Sequence, residues 1–320
     1  MRTILVSGVS GIIGYGILKS LRQSHPNCRL VGTTVYERNA GRAFCDIFEK
    51  APMTCAESYF TWLIEIIQRW NISIIIPGIE ADVFAWNDHR KAIEDAGAVV
   101  LLNNPELIRL SSDKWVFYQR LIENNSTYAI PTSLEYDEKL GNFPLLAKPR
   151  QGSGSKGITI IENMDCLEKH MNVHKSTMIY QPILGCAEEE YTCSAFFDKS
   201  SKLCSFFSMK RTLSQAGFTE NAEPADPPGI ESALVDLSEI FKPVGPTNFQ
   251  FRLDKGLLKL LEINPRISSA TSIRTAFGYN ESAMAVDLFL NGILPSQPKT
   301  KHGYAVRYTE DMVFYDSANI

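Results

Sequence analysis

The sequence lacks the features of a nucleic-acid-binding or membrane protein. Its 320 residues carry 32 Lys and Arg against 36 Asp and Glu, a net charge of −4, and no basic run exceeds two residues. A nucleic-acid-binding chain would carry a basic patch, so that class is disfavoured. No apolar stretch approaches the ~20 residues that a membrane helix needs. The apolar stretch at the N-terminus is too short for a secretory signal, so we expect a cytoplasmic location.

Cysteine spacing also excludes a class of site. The seven cysteines are an odd number, and no pair has the C-x-x-C spacing of a zinc or redox site. We therefore expect free thiols in a reducing compartment. Because 44% of the residues are hydrophobic, the chain has ample material for a core. Its length predicts about two domains of roughly 100–200 residues each.

The first third of the chain alternates between strand and helix patterns. Short apolar runs without alternation are typical of buried strands, and apolar residues every three or four positions are typical of helices. Such an order predicts a parallel sheet with helices on its faces. The predicted strands are 2–6, 30–35, 72–76 and 98–102, and the helices after the first are 57–70 and 87–95.

A glycine-bearing turn follows the first strand. Gly8, Gly11 and Gly14 open a helix, and Glu37 lies 23 residues beyond Gly14. In a dinucleotide-binding fold, an acid in that place contacts a ribose hydroxyl, which favours an NAD(P)-linked reductase. The plainer interpretation is that these glycines permit a tight turn and close packing of the helix on the strand. From the residues alone, both interpretations stay open.

A second glycine-rich segment lies at residues 152–157, between two strand patterns. Lys148 ends the first of these strands, which is otherwise apolar. Backbone N–H groups in such a loop can bind phosphate oxygens, and a lysine adds a positive charge. The segment is not a P-loop, because a strand rather than a helix follows it. A simple hairpin tip is the alternative, although a half-buried ammonium group needs an anionic partner.

A β-hairpin is predicted around residues 254–256. Side chains alternate across a strand, so Glu262 and Asn264 share a face, Lys259 lies on the opposite face, and the partner strand brings Gln250 near. A carboxylate and two amides supply the hard oxygen ligands that suit Mg²⁺ or Mn²⁺. The alternative is a polar outward face of an exposed hairpin.

Taken in order, these segments resemble the ATP-grasp superfamily, and in particular single-chain relatives of the carbamoyl-phosphate synthetase large chain. The resemblance implies an N-terminal parallel α/β domain, called pre-ATP-grasp, over residues 1–108. It implies an ATP-grasp domain of two α+β subdomains over 109–320, with a lid subdomain at about 128–185. It also implies that the Gly8–Gly14 turn does not bind NAD.

The resemblance assigns roles residue by residue. The nucleotide-binding residues that it implies are Lys114, Lys148, Gly152, Ser153, Gly154, Ser155, Gly157, Gln181, Ile183 and Glu190, with Glu188 and Glu189 as rivals of Glu190 for the ribose. The implied metal ligands are Gln250, Glu262 and Asn264. The implied catalytic residues are Arg266, Lys148 and Asn264.

The activity implied is that of an ATP- and Mg²⁺-dependent carboxylate–amine ligase. ATP would phosphorylate a carboxylate, and an amine would capture the acyl phosphate. The implied partners are therefore a small-molecule carboxylate and an amine, with a homodimer left open. Arg211, Ser268 and Arg274 are candidate substrate contacts, because an arginine can bind a carboxylate through two hydrogen bonds; surface salt bridges are the alternative. A non-catalytic nucleotide-binding protein is a further alternative.

Overall fold

The strands of the protein form three sheets. The computed structural model describes residues 1–152, 157–214 and 217–315. One sheet is parallel and has five strands, and the antiparallel sheets have three and six strands. This architecture confirms the predicted fold class, a parallel α/β unit followed by α+β units. None of the helices in the described ranges has the length and apolarity required to cross a membrane.

The N-terminal unit is a five-stranded parallel sheet of order β3-β2-β1-β4-β5. All four residues of its central strand are buried, as expected where helices cover both faces. Its elements are β1 (Thr3–Val6), α1 (Ile12–Ser24), β2 (Arg29–Thr34), β3 (Ile47–Lys50), α2 (Tyr59–Trp70), β4 (Ile72–Ile76), α3 (Glu80–Asp88), α4 (Arg90–Asp95) and β5 (Val99–Val100).

Two details of this unit differ from the sequence prediction. The helix predicted over 87–95 is two helices, and α3 begins at Glu80. The apolar periodicity did not predict the first part of α3, because this helix buries a polar residue. Asp82 accepts hydrogen bonds from Thr54 Oγ1 at 2.7 Å and from the Tyr59 hydroxyl at 2.8 Å. The strand β3 was not predicted, since it is a short edge strand with a mixed pattern that ends in an exposed lysine.

The middle of the chain forms a three-stranded antiparallel sheet of order β7-β6-β8. The glycine-rich segment joins β6 to β7, and Ser153–Lys156 within it lie outside the described residues. The elements are α5 (Pro105–Ser111), α6 (Lys114–Glu123), β6 (Leu145–Pro149), β7 (Thr159–Ile161), α7 (Met164–His174) and β8 (Met178–Pro182).

The remaining strands form the six-stranded antiparallel sheet, of order β13-β12-β9-β10-β11-β14. One face packs on α8, where Phe249 and Phe251 meet Leu234 and Leu237 in a fully buried core. Its elements are β9 (Glu190–Phe197), β10 (Leu203–Leu213), β11 (Thr219–Pro224), α8 (Ile230–Phe241), β12 (Gly245–Asp254), β13 (Leu257–Asn264), α9 (Thr271–Ala276), α10 (Glu281–Asn291) and β14 (Ala305–Val306).

A bulge in β13 changes the facing of its side chains. Phe251 pairs with Leu260 and Gln250 pairs with Glu262, so Leu261 is the extra residue. Leu258, Leu260 and Ile263 are buried on the core side. The prediction that Lys259 faces away from Glu262 is therefore wrong, because one inserted residue shifts the alternation. The ammonium group of Lys259 donates to the carbonyl oxygen of Thr127 at 2.7 Å.

Apolar packing joins the parallel sheet to the six-stranded sheet. Phe196 of β9 and Ile267 share one buried cluster with residues of β1, β4 and α10. The Thr275 hydroxyl of α9 also donates a hydrogen bond of 2.8 Å to Ser20 Oγ of α1, which joins these two helices. The N-terminus of α1 is thereby held near the chain that leaves β13.

Candidate functional site

A cleft of about 460 Å³ opens between the three-stranded sheet, the six-stranded sheet and the N-terminus of α1. Positive charge predominates in its walls, since five cationic side chains and two carboxylates of the described residues line it. The cationic residues are Lys114, Lys148, Arg211, Arg252 and Arg266, and the carboxylates are Glu190 and Glu262. An excess of positive charge in a concave, partly desolvated site favours an anionic ligand.

Lys148 lies on β6, where the pleat directs it into the cleft while Leu145 and Ala147 are buried on the opposite face. Burial lowers the pKa of the Lys148 ammonium group to about 8. The charge of Glu262 raises this pKa, while the charges of Arg252 and Lys114 lower it further. The ammonium group is thus only partly compensated within the protein, and a bound anion would stabilise its charged form.

Lys114 occupies the first position of α6, and its side chain reaches the glycine-rich segment. Asp113 is the N-cap of α6: it accepts from the backbone N–H of Trp115 at 2.9 Å and forms an ion pair of 2.6 Å with Arg150. The Lys114 ammonium group donates to the carbonyl oxygen of Gly152 at 2.7 Å. Of the predicted loop residues, Gly152 lines the cleft and Gly157 is described, whereas Ser153, Gly154 and Ser155 lie outside the described residues.

The three predicted metal ligands all line the cleft. Asn264 Nδ2 donates to Glu262 Oε1 at 2.9 Å, so these two side chains are adjacent. Gln250 Oε1 instead accepts from Arg211 Nη2 at 2.7 Å. Glu262 is the one carboxylate of the set, and the described part of the chain contains no group of three or more His, Cys, Asp or Glu suited to a metal ion. The donor set fits a hard cation best at Glu262 and Asn264.

Arg266 extends this polar chain along the cleft. Its guanidinium group donates to Asn264 Oδ1 at 3.1 Å and to the carbonyl oxygen of Ile267 at 3.2 Å. Glu80 Oε2, at the start of α3, lies 4.0 Å from Arg266 Nη2. Sequence reasoning missed Glu80, although an acid directly after a parallel strand and at the start of a helix is a signal that could have identified it.

Glu190 is the acid, among the three rivals, that lines the cleft. Its carboxylate accepts from Arg211 Nη2 at 2.9 Å and from Arg252 Nη2 at 2.8 Å. Glu189 turns outward and pairs with Lys210 at 2.9 Å. The guanidinium group of Arg211 donates hydrogen bonds to both Glu190 and Gln250, so it is already paired within the protein. The sequence did not predict this pairing.

Arg274 does not line the cleft, contrary to what a direct substrate contact would need. Its side chain is fully buried and donates to Glu281 Oε1 at 3.3 Å, to Asn248 Oδ1 at 3.0 Å and to Ser268 Oγ. Ser268 does line the cleft. Sequence reasoning could not anticipate the burial, because Glu281, the residue that compensates Arg274, lies on the next helix.

The opposing sheet supplies the cleft's apolar surface. The segment 181–184, which begins with the last two residues of β8 and includes the predicted residues Gln181 and Ile183, lines the cleft together with Ile130 and Leu146. Gln181 Nε2 donates to Thr132 Oγ1 at 2.8 Å, which fixes the start of the segment. Such an apolar surface is suited to a flat heterocyclic ring.

Close packing explains Gly8 and Gly14 of the first turn, whereas a Cβ at Gly11 would meet nothing closer than 3.4 Å. A Cβ at Gly14 would lie 2.5 Å from the carbonyl oxygen of Gly8, and a Cβ at Gly41 would lie 2.2 Å from that of Val9. Glu37, the predicted ribose contact of a dinucleotide site, is exposed and pairs with Arg42 at 3.0 Å. The plainer interpretation of the turn therefore accounts for Gly8 and Gly14.

Comparison with known proteins identifies the fold. The family described as "ATP-grasp in the biosynthetic pathway with Ter operon" matches residues 176–312. N5-carboxyaminoimidazole synthetase from Staphylococcus aureus, solved with ADP, superposes with a TM-score of 0.74 at 17% identity, covering 93% of this chain and 80% of that one. The biotin carboxylase–β-γ-ATP complex from Campylobacter jejuni gives 0.74 and 17%, covering 95% of this chain and 74% of that one.

Three curated proteins match at the level of sequence. The carbamoyl phosphate synthase large chain of Methanosarcina acetivorans is 22% identical over 234 residues, which are 64% of this chain and 22% of that protein. The uncharacterized protein MG011 of Mycoplasma genitalium is 28% identical over 124 residues, which are 38% of this chain and 42% of that protein. The chain thus spans less than half the length of these relatives. Together the comparisons confirm the predicted resemblance, and the chain has the ATP-grasp fold.

The pairing of Glu190 with two arginines makes a prediction about stability. Glu190→Gln should lower the free energy of unfolding by about 3 kcal/mol, because it leaves two largely buried guanidinium groups without their carboxylate. Glu189→Gln is the matched control, since its partner Lys210 remains accessible to water, and it should leave the urea midpoint nearly unchanged. Equal midpoints for the two variants in urea unfolding would show that the Glu190 network contributes no special stability.

Proposed function

We propose that this chain is an ATP- and Mg²⁺-dependent ligase that activates a carboxylate as an acyl phosphate for capture by an amine. The observation that carries the proposal is the convergence of Lys148, Glu262 and Arg266 on one positively charged cleft in a chain with the ATP-grasp fold. Phosphoryl transfer requires positioning and charge neutralisation more than a protein nucleophile, and these residues offer both.

The nucleotide would lie between the two antiparallel sheets. The backbone of Gln181 and Ile183 would bind adenine against the apolar wall, and Glu190, held by its two arginines, would be a fixed acceptor for ribose hydroxyls. Lys148 and Lys114 would bind phosphate oxygens. The structures of two similar proteins were solved with ADP and with β-γ-ATP, which supports an adenine nucleotide as the ligand.

Mg²⁺ or Mn²⁺ would be held by Glu262 and Asn264, with Gln250 as a third oxygen ligand once its hydrogen bond to Arg211 is released. Such an ion neutralises charge on phosphate oxygens. Arg266, next to Asn264, would bind the transferred phosphate. The segment 152–157 would exclude water, which otherwise hydrolyses an acyl phosphate. The domain boundary at residue 108 and the lid at about 128–185 stay predictions, as does the homodimer.

The lowered pKa of Lys148 predicts how nucleotide affinity depends on pH. A bound anion raises the pKa of this group above its value of about 8 in the free protein. Affinity for Mg-ADP should therefore be greatest below pH 8 and fall as the pH rises, by at most about tenfold per pH unit, because the neutral amine must take up a proton on binding. Calorimetric titration between about pH 7 and 9.5 measures this slope.

Lys148→Arg provides the control, since a guanidinium group stays charged throughout that range. The affinity of this variant for Mg-ADP should stay constant over the pH range in which the affinity of the wild type falls. The same decline in both proteins would assign the pH dependence to another group.

The single carboxylate of the predicted metal site can be tested directly. Glu262→Gln keeps the shape of the side chain and removes its charge, so ATP-dependent turnover should fall by ~10²–10³ while the fold survives. Glu239→Gln, an exposed change on α8 beyond the cleft, should keep full turnover. Near-full activity in Glu262→Gln would mean that the hairpin is structural and the metal assignment wrong.

Turnover can be followed without knowing the amine. Hydroxylamine captures an acyl phosphate as a hydroxamate, so wild-type protein with Mg-ATP and a panel of carboxylates should yield a hydroxamate with one of them. That product would identify both the reaction class and the carboxylate. Nucleotide binding without a hydroxamate or phosphate release for any carboxylate would favour a non-catalytic nucleotide-binding protein.

A further inference from the structure

The segment 303–315 presents seven large apolar side chains to solvent, each between 45% and 80% exposed. The segment contains neither proline nor lysine, the residues that commonly protect a free strand edge against pairing. A contiguous apolar surface of this kind marks an interaction site. We call it the C-terminal patch, and its apolar members are Tyr304, Val306, Tyr308, Met312, Val313, Phe314 and Tyr315.

The strand β14, at the start of this patch, has one open edge. Among the described strands it lies at the end of the six-stranded sheet, where it pairs on one side with β11. The backbone N–H of Arg307 donates to the carbonyl oxygen of Glu220, on β11, at 2.8 Å. Because the backbone groups of successive residues in a strand point to opposite sides, the N–H and C=O of Val306 point to the open side. They are therefore available to a further strand.

Contacts with the body of the protein hold this strand in position. Ala305 packs against the buried cluster that contains Phe277. The guanidinium group of Arg307 donates to the carbonyl oxygens of Thr219 at 3.0 Å and Ser269 at 2.9 Å. These contacts fix the inward face of β14, and alternation places Val306 and its neighbours Tyr304 and Tyr308 on the exposed face. A strand that is already ordered loses little further entropy when it pairs.

Charge is distributed asymmetrically along the same stretch of chain. Lys301 and His302 precede β14, Glu310 and Asp311 follow it, and all four are exposed. In an antiparallel pair of two identical strands, the basic end of each copy meets the acidic end of the other. In a parallel pair, like charges would lie side by side. The charges therefore favour pairing with a second copy of this chain in the antiparallel orientation.

One register satisfies the backbone, the apolar face and the charges together. If the two-fold axis passes through Val306, the open N–H and C=O groups of this residue pair with those of Val306 in the second copy. Tyr304 then lies opposite Tyr308, and Lys301 lies opposite Asp311. Aromatic pairs and pairs of opposite charge at such facing positions stabilise an antiparallel pair of strands.

The C-terminal patch also has the area that a dimer needs. An aromatic side chain covers about 150–250 Å², so the four aromatic residues of the patch expose roughly 500 Å² in each copy. With the three aliphatic members, two copies together offer more than the ~1,000 Å² expected of a specific interface. A two-fold arrangement uses the same surface on both copies and closes after two, so the edge of β14 is no longer open.

We propose that the protein forms a two-fold dimer in which the β14 strands of two copies pair antiparallel about Val306. The two six-stranded sheets would then form one continuous sheet, and the apolar side chains of the two patches would cover each other. The pairing gives the homodimer that the sequence left open a defined surface. It does not depend on the proposed ligase activity.

Sedimentation velocity of the full chain over a wide range of concentrations tests the dimer, with charge reversal as the specific probe. The wild type should show a reversible equilibrium between monomer and dimer. Lys301→Glu and Asp311→Lys should each raise the dissociation constant about tenfold, because each turns an attraction into a repulsion at both ends of the interface. The double variant Lys301→Glu with Asp311→Lys should restore the wild-type value.

Lys255→Glu is the matched control for the change of charge. Lys255 is exposed in the turn between β12 and β13, and β13 forms the opposite end of the sheet. This variant should dimerise like the wild type. A wild type that stays monomeric at every concentration would overturn the proposal. A dimer that both single variants leave unchanged, or that the double variant does not restore, would place the interface elsewhere.

Val306→Pro tests the pairing of the backbones. Proline lacks the N–H that faces the open edge, while the hydrogen bonds of β14 to β11 come from its neighbours. The dissociation constant of the dimer should rise at least about tenfold, and the midpoint of urea unfolding, measured where the protein is monomeric, should stay near that of the wild type. An unchanged dissociation constant would exclude pairing through this edge.

Discussion

The incompletely compensated charge of Lys148 is the interaction on which the site depends. Its position on β6 removes the ammonium group from much of the water, so that its pKa falls to about 8, and Glu262 across the cleft offsets only part of that effect. Arg252 and Lys114 add further positive charge. A cleft of this kind is stabilised by an anion that spans both sheets, and phosphate groups beside a divalent cation meet that requirement.

Two buried polar networks hold the walls around that charge. In one, Glu190 accepts from Arg211 and Arg252, and in the other, Arg274 joins Glu281, Asn248 and Ser268. Each network ties neighbouring strands and helices beneath the cleft, so that its polar groups keep fixed directions before any ligand arrives. Preorganisation of this kind is the main means by which a protein stabilises developing charge. Of the two arginines that were candidate substrate contacts, Arg274 is fully buried in its network. Arg211 lines the cleft, and its guanidinium group is paired with Glu190 and Gln250.

The sequence predicted the features that depend on neighbouring residues. It did not predict the features that depend on contacts between distant parts of the chain. The hairpin turn before β13 follows from neighbouring residues, and it is confirmed. The pairing of Arg274 with Asn248 and the approach of Glu80 to Arg266 depend on elements distant in sequence, which no periodicity encodes. The bulge at Leu261 shows the limit most clearly, since a single inserted residue, invisible in an apolar run, reversed the expected facing of Lys259.

Calorimetric titration of the purified chain with Mg-ADP, and in parallel with NADP⁺ and NAD⁺, tests the central claim most directly. The account predicts saturable binding of one Mg-ADP per chain and no heat of binding with either dinucleotide, because Lys148 and the proposed metal ligands line the cleft while Glu37 pairs with Arg42 outside it. Binding of a dinucleotide without binding of Mg-ADP would contradict the account and return the glycine turn to the role of a dinucleotide site.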